Sequence, residues 1–347
     1  MRIELFLTPF VTAFTLTAGL ILLFLLTPLF RRAVWRTEKR HGRKQTISRL
    51  GGVSMLFAFS FAVFFDPHLV LTREFYGLLF GSVLIFIFGL WDDVSELGWK
   101  IQVFFQVALT VLIFIFGIHI SSFTNPFGGV WILPADTFVL PGFLLLFVWM
   151  FLVMNAMNWL DGLDGLCGGV SLITFVTMFF LSLKPEVAQP PIAILAVIGI
   201  GVALGFLFFN IYPARILAGT VGSMFLGFLV ATLAVIAGTK IATAFLVLSL
   251  PIVDALFVLW QRLREGTSVF QADKRHLHFK LLELGWSERR IAWFFFFVTA
   301  IIAVIALNTQ ALGKLVAVLL VFCIIFFLLF FVDRKLRFKN SRKKASS

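Results

Sequence analysis

The stretch N-A-M-N-W-L-D-G-L-D-G, Asn155 to Gly165, decides how this chain is read. It sets two carboxamides, two carboxylates and two glycines at the end of a long apolar run. Such polar density is costly beside lipid and calls for a chemical task. On a helix Asn155 and Asn158 share a face, as do Asn158 and Asp161. Gly162 and Gly165 permit a tight turn and close backbone approach to a ligand. Capping of a helix end explains one aspartate of this group but hardly the whole set.

Outward from that block the chain is a membrane protein by composition. Of its 347 residues 61% are hydrophobic and 13% charged, which excludes an ordinary soluble domain. About eleven runs approach the roughly 20 apolar residues a helix needs to cross the hydrocarbon core. They lie near 6–30, 50–66, 75–91, 101–119, 139–157, 168–184, 191–209, 220–238, 241–260, 291–308 and 314–332. The expected fold is therefore all-α: a polytopic integral membrane protein forming one domain over residues 1–347, with a basic tail at 333–347. The first run is too long for a signal-peptide core and meets Arg31 and Arg32 as a stop-transfer boundary would. Cys167 and Cys323 sit in apolar sequence and read as small buried hydrophobes.

The net charge of +12 points to topology rather than to nucleic acid, because the basic residues come in blocks between apolar runs. With eleven spans, 24 Lys and Arg fall on one side and five on the other. The positive-inside rule then places the N-terminus outside and the C-terminus in the cytoplasm. Asp92, Asp93, Lys100, Asp161, Asp164, His276 and His278 all map to the cytoplasmic side.

Three further segments carry chemistry. In G-L-W-D-D-V-S-E-L-G-W-K, Gly89 to Lys100, the adjacent carboxylates need water, a cation or donors to stay ionised together. They suit a base or a Mg²⁺ contact, and Lys100 can meet a lipid phosphate at headgroup depth. In A-D-K-R-H-L-H-F, Ala272 to Phe279, Arg275, His276 and His278 offer donors for a diphosphate. The two histidines diverge on a regular helix, so a loop must bring them together. In N-I-Y-P-A-R-I-L-A-G-T-V-G-S, Asn210 to Ser223, a helix start after Pro213 presents N–H groups to an anion. Asp254, inside the ninth run, either faces the site or pairs with a neighbour.

Taken in this order, the motifs resemble those of the polyprenyl-phosphate N-acetylhexosamine-1-phosphate transferases. The resemblance runs from about Arg43 to Arg290. It includes S-R-L-G-G (Ser48 to Gly52), W-D-D with Lys100, the N-x-x-N-x-x-D-G-x-D-G block, P-A-R-I, G-S, P-I-V-D and A-D-K-R-H-L-H. It implies a Mg²⁺-dependent membrane enzyme, with Mn²⁺ as a substitute, that transfers a sugar-1-phosphate from a UDP-sugar to polyprenyl phosphate and releases UMP. Such an enzyme works on the cytoplasmic face of the plasma membrane, in cell-envelope polysaccharide synthesis, and is compatible with a homodimer. By resemblance Asp92, Asp93 and Asp161 are catalytic and Asn158 is a metal ligand. Lys100, Asn155, Asp164, Arg275, His276 and His278 bind substrate. The A-D-K-R-H-L-H context favours a GlcNAc-type donor over phospho-MurNAc-pentapeptide.

Two positions depart from the family pattern. Thr220 stands where an aspartate usually helps bind Mg²⁺, and a hydroxyl is the weaker ligand. Phe279 stands where a further histidine is usual. A silent family member that binds UDP-sugar without turnover is therefore one competing reading. A secondary transporter is another; it predicts broken helices and charges at the midplane, related by a repeat, whereas the polar groups here gather at one face.

Overall fold

Helices in the lipid core must satisfy every backbone polar group internally, and the chain obeys this almost throughout. The computed structural model describes residues 3–27, 35–40, 43–125, 127–133, 139–238, 240–267 and 275–345. Its helices are α1 (Glu4–Leu26), α2 (Gly51–Phe65), α3 (Arg73–Ser95), α4 (Trp99–Ile115), α5 (Val139–Leu160), α6 (Leu166–Ser182) and α7 (Pro190–Asn210). They continue as α8 (Gly219–Ile236), α9 (Ile241–Val247), α10 (Ser249–Glu265), α11 (Leu277–Glu283), α12 (Glu288–Asn308) and α13 (Ala311–Ala345).

Every run expected to span the membrane is a helix or, in one case, a bent pair. Seven helices are long and apolar enough to cross, and α9 with α10, bent by 78°, adds an eighth if taken as one span. The other three, α2, α4 and α6, have only 15 to 17 residues, so length and composition alone leave them short of a full crossing. The end of the first expected run, with Arg31 and Arg32, lies outside the described residues.

The expectation of an all-α chain needs one correction. Two antiparallel hairpins occur in the connections: β1 (Trp35–Arg40) with β2 (Arg43–Ser48), and β3 (Ser122–Thr124) with β4 (Val130–Ile132). Their sequences carry no long apolar alternation, so neither was legible as a strand pair. Cysteine placement also differs by position. Cys167 is buried as expected, whereas Cys323 is exposed on α13, which corrects the expectation of a buried residue there: α13 leaves many apolar side chains facing outward.

Helix α8 is the axis of the bundle. From Gly219 to Val235 every residue is buried, and the helix packs on α2, α3, α5 and α6. Many hydroxyls in this apolar interior are satisfied locally, although those of Ser171, Ser249 and Thr299 are buried without a partner. Ser82, Thr110, Thr174 and Thr232 each donate to the carbonyl four residues back at 2.7–2.8 Å, and the buried Trp149 indole donates to Ala231 O at 3.0 Å. No buried hydroxyl or indole in these pairs faces hydrocarbon alone.

The entry to α2 is tied to the entry to α8 by backbone. Leu217 N–H donates to Ser48 O at 2.8 Å, while Gly51 and Gly52 N–H donate to the carbonyls of Leu217 and Ala218 at 3.1 and 3.0 Å. Donors that a helix N-terminus leaves unpaired are thus met by a neighbouring chain segment. Gly52 is required for this approach, since a Cβ there would stand 2.1 Å from Gly222 N and 2.5 Å from Ala218 O. Gly52→Ala should therefore lose at least about 1–3 kcal/mol of stability by overpacking, read as a lower thermal unfolding midpoint in detergent. Gly98→Ala, where a Cβ meets nothing within 4 Å, should leave the midpoint nearly unchanged.

Candidate active site

The polar motifs are brought to one end of the bundle by the first turn of α8. Thr220 N–H donates to both oxygens of Asp93, at 3.0 and 3.1 Å, and its hydroxyl donates to Asp92 Oδ2 at 2.7 Å. Ser223, one turn on, donates its hydroxyl to Asn158 Oδ1 at 2.7 Å. A three-residue step along α8, from Thr220 to Ser223, therefore joins the acidic pair at the end of α3 to the asparagine block at the end of α5. The helix start after Pro213 does receive an anion, and that anion is the protein's own Asp93.

Asp93 is buried, and its second partner is Arg49, whose guanidinium lies 3.2 Å from Asp93 Oδ1. This arginine comes from S-R-L-G-G, a segment that the motif reading quoted without giving Arg49 a task. Gly219 makes room for the arrangement: its φ is +66° and a Cβ would fall 2.6 Å from Asp93 Oδ2. Asp92 is half-buried and also accepts from Leu97 N–H at 3.0 Å and Gln102 Nε2 at 3.2 Å. Lys100 stands exposed two residues before Gln102, on the rim, with its ammonium 5.8 Å from the Trp99 ring centroid.

The turn between α5 and α6 holds Asp161, Gly162, Asp164 and Gly165. Asp164 is buried and accepts from Ala214 N–H at 2.9 Å. Asn210, also buried, accepts from Gly165 N–H at 2.9 Å and donates to Ile216 O at 2.8 Å. This turn is thus clasped by the α7–α8 connection. Asp161 is half-buried beside Asn158.

The histidine segment docks on the same turn. His276 keeps extended backbone before α11 begins, with φ −64° and ψ 150°, which allows the two rings to converge. They stack within 5° of parallel at 5.9 Å, and Trp159 lies 5.4 Å from His276. A Cβ on Gly162 would stand 2.5 Å from His278 Nε2 and 2.9 Å from Phe279 Cζ, so only glycine admits this contact. Asp254 pairs with a neighbour: it accepts from His276 Nδ1–H at 2.9 Å and from Leu277 N–H at 2.8 Å. His278 is buried with neither ring nitrogen hydrogen-bonded. Burial pushes its pKa down to about 3, so the ring is neutral at physiological pH. Unfolding exposes it to protonation below about pH 6.5, so this group's contribution to stability is lost as pH falls from there towards 3. Asp273 and Lys274 of the same motif lie outside the described residues.

Two residues expected to bind substrate have partners within the protein. Asn155 lies one turn inside the block, buried, and is engaged with Gln106. Its Nδ2 donates to Gln106 Oε1 at 2.8 Å and to Phe151 O at 2.7 Å, and Gln106 Nε2 returns a bond of 3.3 Å. That exchange is a packing contact between α4 and α5 rather than an exposed donor. Arg275 is paired with Glu265 at 2.6 Å, and Glu265 also receives Arg337 from α13 at 3.5 Å.

The donor set here is hard oxygen: two carboxylates, a carboxamide and two hydroxyls. Among the described residues no three His, Cys, Asp or Glu side chains gather to hold a metal unaided. The chemistry fits Mg²⁺, which is commonly held by one or two carboxylates while substrate phosphates and water complete its shell. Asp92 and Asn158, both half-buried, are the oxygens open to such a shared arrangement.

Comparison with known proteins agrees with this geometry. Residues 75–238 match the model of glycosyl transferase family 4, a stretch that contains the acidic pair, the asparagine block and the first turn of α8. A decaprenyl-phosphate N-acetylglucosaminephosphotransferase of Mycobacterium leprae is 31% identical over 291 residues, covering 75% of this chain and 73% of that protein. A probable undecaprenyl-phosphate N-acetylglucosaminyl 1-phosphate transferase of Bacillus subtilis is 26% identical over 324 residues, covering 89% and 88%. An undecaprenyl-phosphate alpha-N-acetylglucosaminyl 1-phosphate transferase of Escherichia coli K12 is 27% identical over 301 residues, covering 80% and 79%.

The Asn155–Gln106 exchange makes a prediction about stability. Asn155→Leu alone strands the buried Gln106 amide and should cost about 1–3 kcal/mol. The double replacement Asn155→Leu/Gln106→Leu should recover part of that loss in detergent thermal unfolding, since neither amide then lacks a partner.

Proposed function

This chain belongs to glycosyl transferase family 4, with the polyprenyl-phosphate N-acetylglucosamine-1-phosphate transferases, and from that premise we propose that it transfers GlcNAc-1-phosphate from UDP-GlcNAc to a polyprenyl phosphate, releasing UMP. The observation that carries this reading is the junction at Thr220 and Ser223, which sets the acidic pair beside Asn158. We place the site at the cytoplasmic face, with eleven spans, the N-terminus outside and the C-terminus inside. The side bearing 24 of the 29 Lys and Arg supports that orientation.

The reaction brings two anions together, so its barrier is largely electrostatic. The lipid phosphate attacks the β-phosphorus of the donor; a new P–O bond forms and the bond to the UMP oxygen breaks. Asp92 and Asp93 lie where the lipid headgroup enters from the rim at Lys100, and Lys100 meets its charge. Asp93, fixed by Arg49 and Thr220, cannot turn away from the incoming phosphate. Asp161 and Asp164 edge the turn that receives the nucleotide, and His276 stands beside that turn, facing the diphosphate, with the buried His278 packed against it. Arg275 keeps its cationic end near the mouth of the site. Mg²⁺, held by Asp92 and Asn158 together with phosphate oxygens, would supply Lewis-acid charge stabilisation there. Asn155 serves by holding the end of α5 in place.

Purified protein with labelled UDP-GlcNAc, polyprenyl phosphate and Mg²⁺ should yield lipid-linked product and an equal amount of UMP. Binding of UDP-GlcNAc without product would instead identify a silent family member, and uptake into vesicles a transporter. Asp93→Asn and Asp161→Asn should each lower turnover by about 10²-fold or more while the protein stays folded. Full activity in both would remove the site assignment. Thr220→Asp places a carboxylate where a hydroxyl now donates to Asp92. It should make activity depend more steeply on Mg²⁺ and shift half-maximal activation to lower concentration, read by titrating the metal against chelator.

A further inference from the structure

We infer that Asp254 is a positioning residue for His276, holding the ring in the one orientation that meets the diphosphate of the donor. The inference rests on the proposed function and extends it to a residue deep in α10. Asp254 is buried on an apolar helix just after Pro251. A carboxylate there needs a strong reason, and its two oxygens supply one. Oδ2 faces His276 Nδ1 at 2.9 Å and Oδ1 accepts Leu277 N–H at 2.8 Å. The first contact fixes the ring and the second fixes the backbone that carries it.

A carboxylate only accepts, so Nδ1–H donates to it, and a ring that carries both protons offers Nε2–H to a phosphate oxygen. Trp159 and His278 pack against the same ring, and Trp159 belongs to the asparagine block itself. The ring is therefore restrained by α10, α11 and α5 at once. Such restraint matters because a polar group aimed before the substrate arrives needs no reorganisation during reaction. Asp254→Asn keeps the size and one acceptor but can turn its NH₂ towards Nδ1. The amide has lost the negative charge and can either accept from Nδ1 or donate to it, so the ring is no longer held in one form.

A double-mutant cycle in the full-length protein tests this, with UDP-GlcNAc and polyprenyl phosphate as substrates. Asp254→Asn should lower kcat/KM for UDP-GlcNAc about 10- to 100-fold, with KM for the lipid unchanged. Asp254→Asn/His276→Ala should be no worse than His276→Ala alone, and Asp254→Glu should recover part of the loss. Additive losses in the double variant, or a loss confined to the lipid KM, would overturn the inference by making Asp254 a structural residue independent of His276. Should Asp254→Asn fail to fold, Asp254→Glu runs the same cycle. A wild-type protein that makes no product fails the proposed function instead; the cycle is then read as UDP-GlcNAc binding by calorimetry, where additivity again overturns the inference. Absence of binding in the wild type overturns both.

Discussion

Asp93 is the constraint around which the rest is arranged. A buried carboxylate at the end of an apolar helix is tolerated only with donors close by. Its donors come from two distant segments, the Arg49 guanidinium and the Thr220 amide. Meeting that demand brings the lead-in to α2 and the first turn of α8 against the end of α3. The Gly52–Gly222 approach then lets α2 and α8 come close enough for both donors to reach. The acidic pair is therefore held beside a close backbone approach of two helices.

A second set of contacts extends the site from there. Ser223 reaches Asn158, Ala214 N–H meets Asp164, and Asn210 takes Gly165 N–H. The α7–α8 connection and the start of α8 together thus touch both halves of the asparagine–aspartate block. His276 and His278 close over the far side of that block through Gly162 and Trp159. Most of these polar residues serve twice, meeting a neighbour's hydrogen bond while shaping the site; the His278 ring makes no hydrogen bond and acts by packing. This economy suits a membrane protein, where an unpaired polar group is costly and every donor near lipid needs a partner.

Thr220 illustrates how a substitution reads differently in sequence and in space. As a string, G-T-V-G-S presents the loss of a carboxylate and hence a weaker cation ligand. In the fold the Thr220 hydroxyl is a donor to Asp92 while its amide serves Asp93. The residue offsets part of the negative charge that a third carboxylate would have increased. Phe279 is similar: it appears as a missing histidine, yet its ring fills the space against Gly162 and His278. Gln106, Asn210 and Arg49 were not legible as site-shaping residues, because nothing local marks a lone amide or arginine as the partner of a group dozens of residues away.

By itself the sequence determined the membrane class and the place of every long apolar helix, and it singled out the polar blocks expected to carry chemistry. Those features follow from local rules: helix length against bilayer thickness, the cost of charge near lipid, and the spacing of residues on one helical face. Only the tertiary structure decided which blocks meet. It paired Asn155 with Gln106, resolved Asp254 onto His276, and chose Arg49 and Thr220 as partners for the acidic pair. Those pairings join segments far apart in the chain. They depend on how closely helix backbones approach, and no local pattern of residues encodes that distance.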